Sequence, residues 1–228
     1  MNRHRSLFTA SALALAVAAL SACSKSTPEA AAPAPVPAAS AVSAAAAPAP
    51  APDAGASATS AAAEPTAAPG QQSPRQAYEA ASKGSGFTTG PVMAANTVYV
   101  FFDPTCPHCA ALWNNAQALQ NRLKIVWMPI GLLRSSSGPQ GATILSAKDP
   151  IAAMGENETS VLAHGGGITV SQSLSDDVVA KVKANTDIFK ALGAESVPLI
   201  VYRNGKNGQF GKHDGTVSAE ELAQMVGL

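Results

Sequence analysis

A nearly all-apolar run, Asn96-Thr97-Val98-Tyr99-Val100-Phe101-Phe102, meets Asp103-Pro104 and leads at once into Cys106-Pro107-His108-Cys109. The run is rich in β-branched and aromatic residues, which predicts a central strand buried on both faces. Asp-Pro ends it. From Cys106 to about Arg122 the period changes. Ala110, Trp113, Ala116 and Leu119 recur at helical spacing, and Ala and Gln favour helix. A strand, a tight turn, Cys-x-x-Cys and a helix in immediate succession leave few folds open.

Lys124–Ile130 reads as a second strand, with Pro129 placing its end at an edge or bulge. Residues 138–195 read as mostly helical: Pro139–Lys148, Ile151 to about Glu158, and Asp176–Leu192. Val178, Val179, Val182 and Ile188–Leu192 form the apolar face of the last. Gly193 is placed to cap it. Leu199–Tyr202 is a strand, Asn204-Gly205 and Asn207-Gly208 are turns, and Gln209–Lys212 is a last short strand. Ser218 and Glu221 have capping-box spacing and open a final helix. This order predicts an α/β fold, a mixed sheet with helices on its faces and a helical insertion over about 135–195.

That domain spans 74–228, ample for one core. It carries 12 Lys plus Arg and 12 Asp plus Glu. With no basic stripe, nucleic acid is not the expected partner.

Residues 1–22 read as an export signal: Arg3 and Arg5, then an apolar stretch from Leu7 to Leu20. At about 14 residues it is shorter than the ~20 of a membrane span. The segment ends in Leu20-Ser21-Ala22-Cys23, which resembles a bacterial lipobox with Cys23 as the lipidated residue. Several acyl chains hold a protein on a membrane where one does not. Residues 23–73 are dominated by Ala, Pro, Ser and Thr. They offer almost no apolar bulk to offset chain entropy, and frequent proline blocks helix. The expectation is a disordered, partly polyproline-II tether, with a reach of roughly 40 Å as a coil and about 150 Å fully extended.

Cys106 and Cys109 are the only cysteines of the folded part. At the first turn of a helix, the Cys106 sulfur faces unpaired N–H groups and the positive end of the dipole, both of which favour thiolate. Pro107 suits the first helical position. Cys109, one turn on and more buried, suits a resolving role. His108 adds positive charge nearby. A stabler thiolate makes the corresponding disulfide a stronger oxidant. Structural zinc needs four ligands, and His164 and His213 stand singly. Haem attachment needs His where Ala110 stands. A purely structural disulfide over so short a loop constrains little. Redox exchange is the preferred reading, with no cofactor and no metal. The alternative is a carrier that binds a soft metal through the two thiolates.

At these residues the chain resembles the thioredoxin-fold Dsb proteins, most of all the DsbG/DsbC branch of periplasmic thiol:disulfide interchange proteins. The resemblance covers roughly 95–228. It rests on Tyr99–Cys109, on Ile144–Pro150, on Gly165–Gly167 and on Leu192–Tyr202. It implies a thioredoxin-like fold, with Cys106 as nucleophile and Cys109 as resolving cysteine. It also implies that Val197 and Pro198 form the substrate-binding loop, with Pro198 as its cis-proline. Sequence alone leaves open an ordinary trans proline; the motif and strand order favour cis. The activity implied is disulfide exchange with client proteins, with a Dsb-type membrane redox partner resetting the pair.

Three departures qualify this. The Ala/Pro tether stands where the branch has a dimerisation domain, so a monomer is expected. Pro107-His108 and Val197 both resemble the oxidase DsbA rather than this branch, which leaves the direction of electron flow open. The expected location is the bacterial periplasm, lipid-anchored to a membrane, with Ser24 favouring the outer one.

His164-Gly165-Gly166-Gly167 resembles the oxyanion loop of some lipases, but no G-x-S-x-G accompanies it. It reads as a flexible loop. Trp113 and Trp127 read as core. Asp103 is either turn chemistry or a proton relay, with the turn preferred.

Overall fold

The computed structural model describes residues 72–228. The expected signal segment, the lipidation at Cys23 and the tether up to residue 71 lie outside the described residues.

A five-stranded mixed sheet runs in the order β1-β3-β2-β4-β5. Its strands are β1 (Phe87–Thr89), β2 (Thr97–Phe102), β3 (Lys124–Pro129), β4 (Leu199–Arg203) and β5 (Phe210–Asp214). β2 is central, parallel to β3 and antiparallel to β4. β1 adds antiparallel to β3, and β5 antiparallel to β4. The helices are α1 (Pro74–Ala81), α2 (Pro107–Ala116), α3 (Ser137–Ser146), α4 (Pro150–Leu162), α5 (Asp176–Ala191) and α6 (Ala219–Val226). A short 3-10 turn, Gln117–Leu119, extends α2. α3, α4 and α5 form the insertion between β3 and β4.

The core follows from the strand composition. Phe101, Phe102, Leu112, Trp127, Met128 and Phe189 are among its largest fully buried side chains. Trp113 and Trp127 meet edge-to-face with centroids 5.0 Å apart. Phe87 and Phe102 extend the cluster. Such offset geometry suits the ring quadrupoles. The Trp127 indole N–H donates to Thr89 Oγ1 at 3.0 Å, which satisfies its one polar atom. Ser218 and Glu221 form the expected capping box. Gly193 at φ 67° follows the end of α5.

Some sequence expectations need correction. Val179 does not belong to the buried face of α5; it is 46% exposed. The face is Val178, Val182, Asn185, Thr186 and Phe189, a stripe at helical spacing whose centre lies about 75° around the helix from 179. Asn185 is polar yet fully buried. Its Nδ2 donates to Ser85 O and Pro129 O, and its Oδ1 accepts from Ser85 N. β3 is an inner strand, but its end at Pro129 is open on the β1 side, in keeping with the expected edge position. Pro129 is tolerated because β1 stops opposite Trp127, leaving it paired with Phe102 alone. The sequence reading also missed α1 and β1. α1 is eight residues with a Ser73/Gln76 capping box, and β1 is three residues with no alternation long enough to register.

Candidate active site

The loop between β2 and α2 is pinned by Asp103, which is fully buried. Its Oδ1 accepts from Thr105 N (2.9 Å), Thr105 Oγ1 (2.7 Å) and Ser137 Oγ (2.8 Å). Its Oδ2 accepts from Leu132 N and Leu133 N, both at 2.8 Å. Both oxygens are committed to structure. This is turn chemistry extended to the start of the insertion.

Cys106 is the N-cap of α2, with extended backbone, and Pro107 is the first helical residue. The Cys109 and Ala110 amides donate to Cys106 O. Both thiols are free and buried, while Pro107 and His108 are exposed. Cys106 is lowered to about 6, first by the Cys109 S–H, against burial, and then by the Cys109 and His108 amides and the His108 charge. The two amides belong to the first turn of α2, where backbone N–H groups point toward the N-cap sulfur. Cys109 is pushed well above the ordinary thiol value, first by burial and then by its role as donor to Cys106 and by the Cys106 charge. The pair is therefore split: ionisation is favoured at Cys106 and disfavoured at the more deeply buried Cys109.

The Val197–Pro198 peptide is cis. Cys106 Sγ lies 3.7 Å from Val197 O. Pro198 O accepts from Gly215 N at 2.8 Å, and Thr216 Oγ1 donates to His108 O at 2.6 Å. The segment after β5 thus ties the Val197–Pro198 loop to the first turn of α2. Cys106, Pro107, His108, Cys109, Val197 and Pro198 gather in one place. Cys23 lies outside the described residues.

The Gly165–Gly167 loop is held rather than loose. Gln140 Nε2 donates to Gly166 O and Ile168 O, both at 2.9 Å. Asn157 Oδ1 accepts from Ile168 N. Gly167, at φ 96°, passes so close that a Cβ there would sit 2.7 Å from Asn157 Oδ1. Beside the thiols, Thr105, Pro107, Arg134, Val161, His164 and Gly166 line a shallow cleft.

Two residues of this region escaped sequence reasoning. Asn157 is fully buried and donates to Pro104 O at 2.9 Å. Glu158 is 1% exposed, with neither carboxylate oxygen hydrogen-bonded to a described residue. Its acid is raised to about 8, chiefly by burial; the neighbouring Asn157 amide tempers this, and the charges of Cys106 and Asp103 add to it. Nothing in Gly155-Glu156-Asn157-Glu158 distinguishes it from a solvated helix face.

Comparison with known proteins follows the same residues. Over 155 residues the chain is 23% identical to the thiol:disulfide interchange protein DsbG of Pseudomonas aeruginosa, covering 67% of this chain and 59% of that protein. Over 114 residues it is 29% identical to DsbG of Escherichia coli, covering 48% of this chain and 44% of that one. The chain thus spans about half the length of these curated relatives. The catalytic domain of Proteus mirabilis ScsC superposes with a TM-score of 0.52 at 18% identity, over 67% of this chain and 96% of that one. That likeness is one of fold. A family model described as a thioredoxin-like domain matches residues 93–227, which take in the sheet from β2 to β5, both cysteines and the Val197–Pro198 loop. The chain belongs to the thioredoxin-like domain family.

Proposed function

We propose that the chain is a thiol:disulfide oxidoreductase that exchanges disulfides with client proteins through Cys106 and Cys109. The observation that carries this is the split pair at the N-terminus of α2: a Cys106 thiol lowered to about 6 beside a buried Cys109 raised well above the usual range. The DsbG relatives support the same chemistry. The Cys106 thiolate attacks a client disulfide; the Cys106–client bond forms and the other client sulfur leaves as thiolate. Cys109 then attacks Cys106, closing the pair and releasing the client reduced. In the opposite direction a client thiolate opens the oxidised pair. His108, through its amide and its charge, stabilises the Cys106 thiolate, and Pro107 opens the helix that presents both sulfurs. The Val197 and Pro198 backbone offers an edge to an extended client segment.

The Cys106 value favours an oxidising pair, since stabilising the reduced form raises the potential. The setting proposed is the bacterial periplasm, where a membrane partner of Dsb type resets a monomer tethered by residues 23–73 and a lipid on Cys23. The test is the reduction potential of the pair, read by thiol alkylation of the full chain carrying Cys23→Ser in glutathione buffers. A value near about −120 mV, where DsbA lies, supports the oxidising reading, and one near about −270 mV, like thioredoxin, makes the chain a reductant. No reversible transition removes the redox function.

A further inference from the structure

The cleft beside the thiols is built where three segments meet. Thr105 and Pro107, the neighbours of Cys106 on either side, form part of its lining. Arg134 comes from the start of the insertion, and Val161, His164 and Gly166 from the end of α4 and the loop after it. At about 250 Å³ it suits one side chain rather than a whole ligand. Among the described residues, no acid lines it.

Both walls are fixed against the turn that presents Cys106. Arg134 N donates to Ser137 Oγ at 3.1 Å, and that hydroxyl donates to Asp103 Oδ1 at 2.8 Å. Leu132 and Leu133, just before Arg134, are held by Asp103 Oδ2. Across the cleft, Asn157 ties α4 to Pro104 O, and Gln140 holds Gly166 O. His164 follows α4 at φ 59°, the one non-glycine residue with positive φ among the described residues. Three glycines come directly after it, and glycine would take that conformation without strain. A side chain is thus kept where the backbone favours none, which calls for an explanation in function. The Arg134 guanidinium and the His164 imidazole are exposed, and neither has a hydrogen-bond or ion-pair partner among the described residues.

A guanidinium is always charged, and its planar fork of donors matches a carboxylate. An imidazole adds at least one N–H donor in either protonation state. We propose that Arg134 and His164 form an anion subsite that selects clients carrying an aspartate or glutamate within about two residues of the reactive cysteine. This rests on the exchange activity proposed above. An extended client segment advances about 3.3 Å per residue, so a carboxylate that close to the client sulfur falls where Thr105 and Pro107 border the cleft. In the step itself the Cys106 thiolate bonds to the client sulfur, the client disulfide breaks, and its other sulfur departs with the electron pair as thiolate. The subsite takes neither electrons nor a proton. It holds the client and offsets the repulsion between a client carboxylate and the Cys106 thiolate.

The test uses the reduced full chain carrying Cys23→Ser and short blocked peptides of Ala and Gly around one cysteine, activated as the neutral 2-pyridyl disulfide. Asp, Asn or Lys stands one or two residues to either side of that cysteine. Stopped-flow release of pyridine-2-thione gives the rate of Cys106 attack. The Asp-to-Asn rate ratio is read within each variant, so that changes in the reactivity of the sulfur cancel. A simple thiolate gives a ratio below one, by charge repulsion. For this chain a ratio of about three or more is expected in at least one position, the scale of an exposed ion pair, with the Lys peptide slowest there. It should fall toward one in about 1 M salt.

Arg134→Gln should bring the ratio to one or below, and Arg134→Lys should keep part of it. His164→Gly, which suits φ 59°, should lower it about twofold or more. A ratio of one or less at every position, or one that Arg134→Gln leaves unchanged, overturns the proposal. Failure of the exchange reading looks different: pyridine-2-thione would appear, but no peptide, neutral ones included, would then be released by Cys109 as free thiol. That result would overturn the exchange activity and the subsite with it.

Discussion

Asn157 Nδ2 donates to Pro104 O at 2.9 Å, joining positions 53 residues apart and fastening α4 to the turn that presents Cys106. The same side chain accepts from Ile168 N, so one buried amide holds both the thiol loop and the glycine loop. Asn157→Ala should cost about 1–3 kcal/mol, the usual price of stranding buried partners. It should also speed amide exchange at Ile168. Urea unfolding and hydrogen exchange check this; unchanged protection at Ile168 would refute it.

Cys109→Ala should accumulate a mixed disulfide between Cys106 and a model client, visible on a non-reducing gel and lost on reduction. Cys106→Ala should form none. Adducts at Cys109 in the second variant would reverse the assigned roles, against the full burial of Cys109.

The Cys106 thiol is lowered to about 6 in the folded reduced protein, against about 8.5 for a free thiol. A depressed value stabilises the reduced fold above the unfolded value and loses that contribution as pH falls through the folded one. The gap in melting temperature between reduced wild type and Cys106→Ser should therefore widen from about pH 6 to about pH 8.5, and vanish in acid. Alkylation of Cys106 should reach half its maximal rate near pH 6. A half-point near pH 8.5 would mean that neither the Cys109 S–H nor the first-turn amides stabilise this sulfur.

Asp103→Ala strands the amides of Thr105, Leu132 and Leu133 and the Ser137 hydroxyl. Buried donors left unmade cost about 1–3 kcal/mol each before relaxation, so this variant should be among the most destabilised. Thermal unfolding of reduced and oxidised forms should fall alike. A loss confined to exchange rate, with stability intact, would instead make Asp103 a proton relay.

Much of this was legible where a pattern repeats. β2 and β3 announced themselves by β-branched runs, α5 by its period, and α6 by Ser218 and Glu221. The thiols were legible because chemistry fixes their spacing and the preceding strand fixes their place. Val179 misled because an apolar residue beside Val178 looks like part of the same stripe, and only the facing surface decides. Asn157, Glu158 and Asn185 were invisible because burial of a polar side chain depends on what lies across the fold. Short α1 and β1 exist by tertiary support: Tyr78 meets Tyr99 and Phe210 edge-to-face, and Thr89 meets the Trp127 indole.

The reach of Asp103 sets a boundary for anyone redesigning this protein. One carboxylate grips the turn before Cys106 and also the chain at Leu132, Leu133 and Ser137. The insertion is therefore no detachable module. Grafting a different one must begin after Ser137, or the graft will take the anchorage of the turn before Cys106 with it.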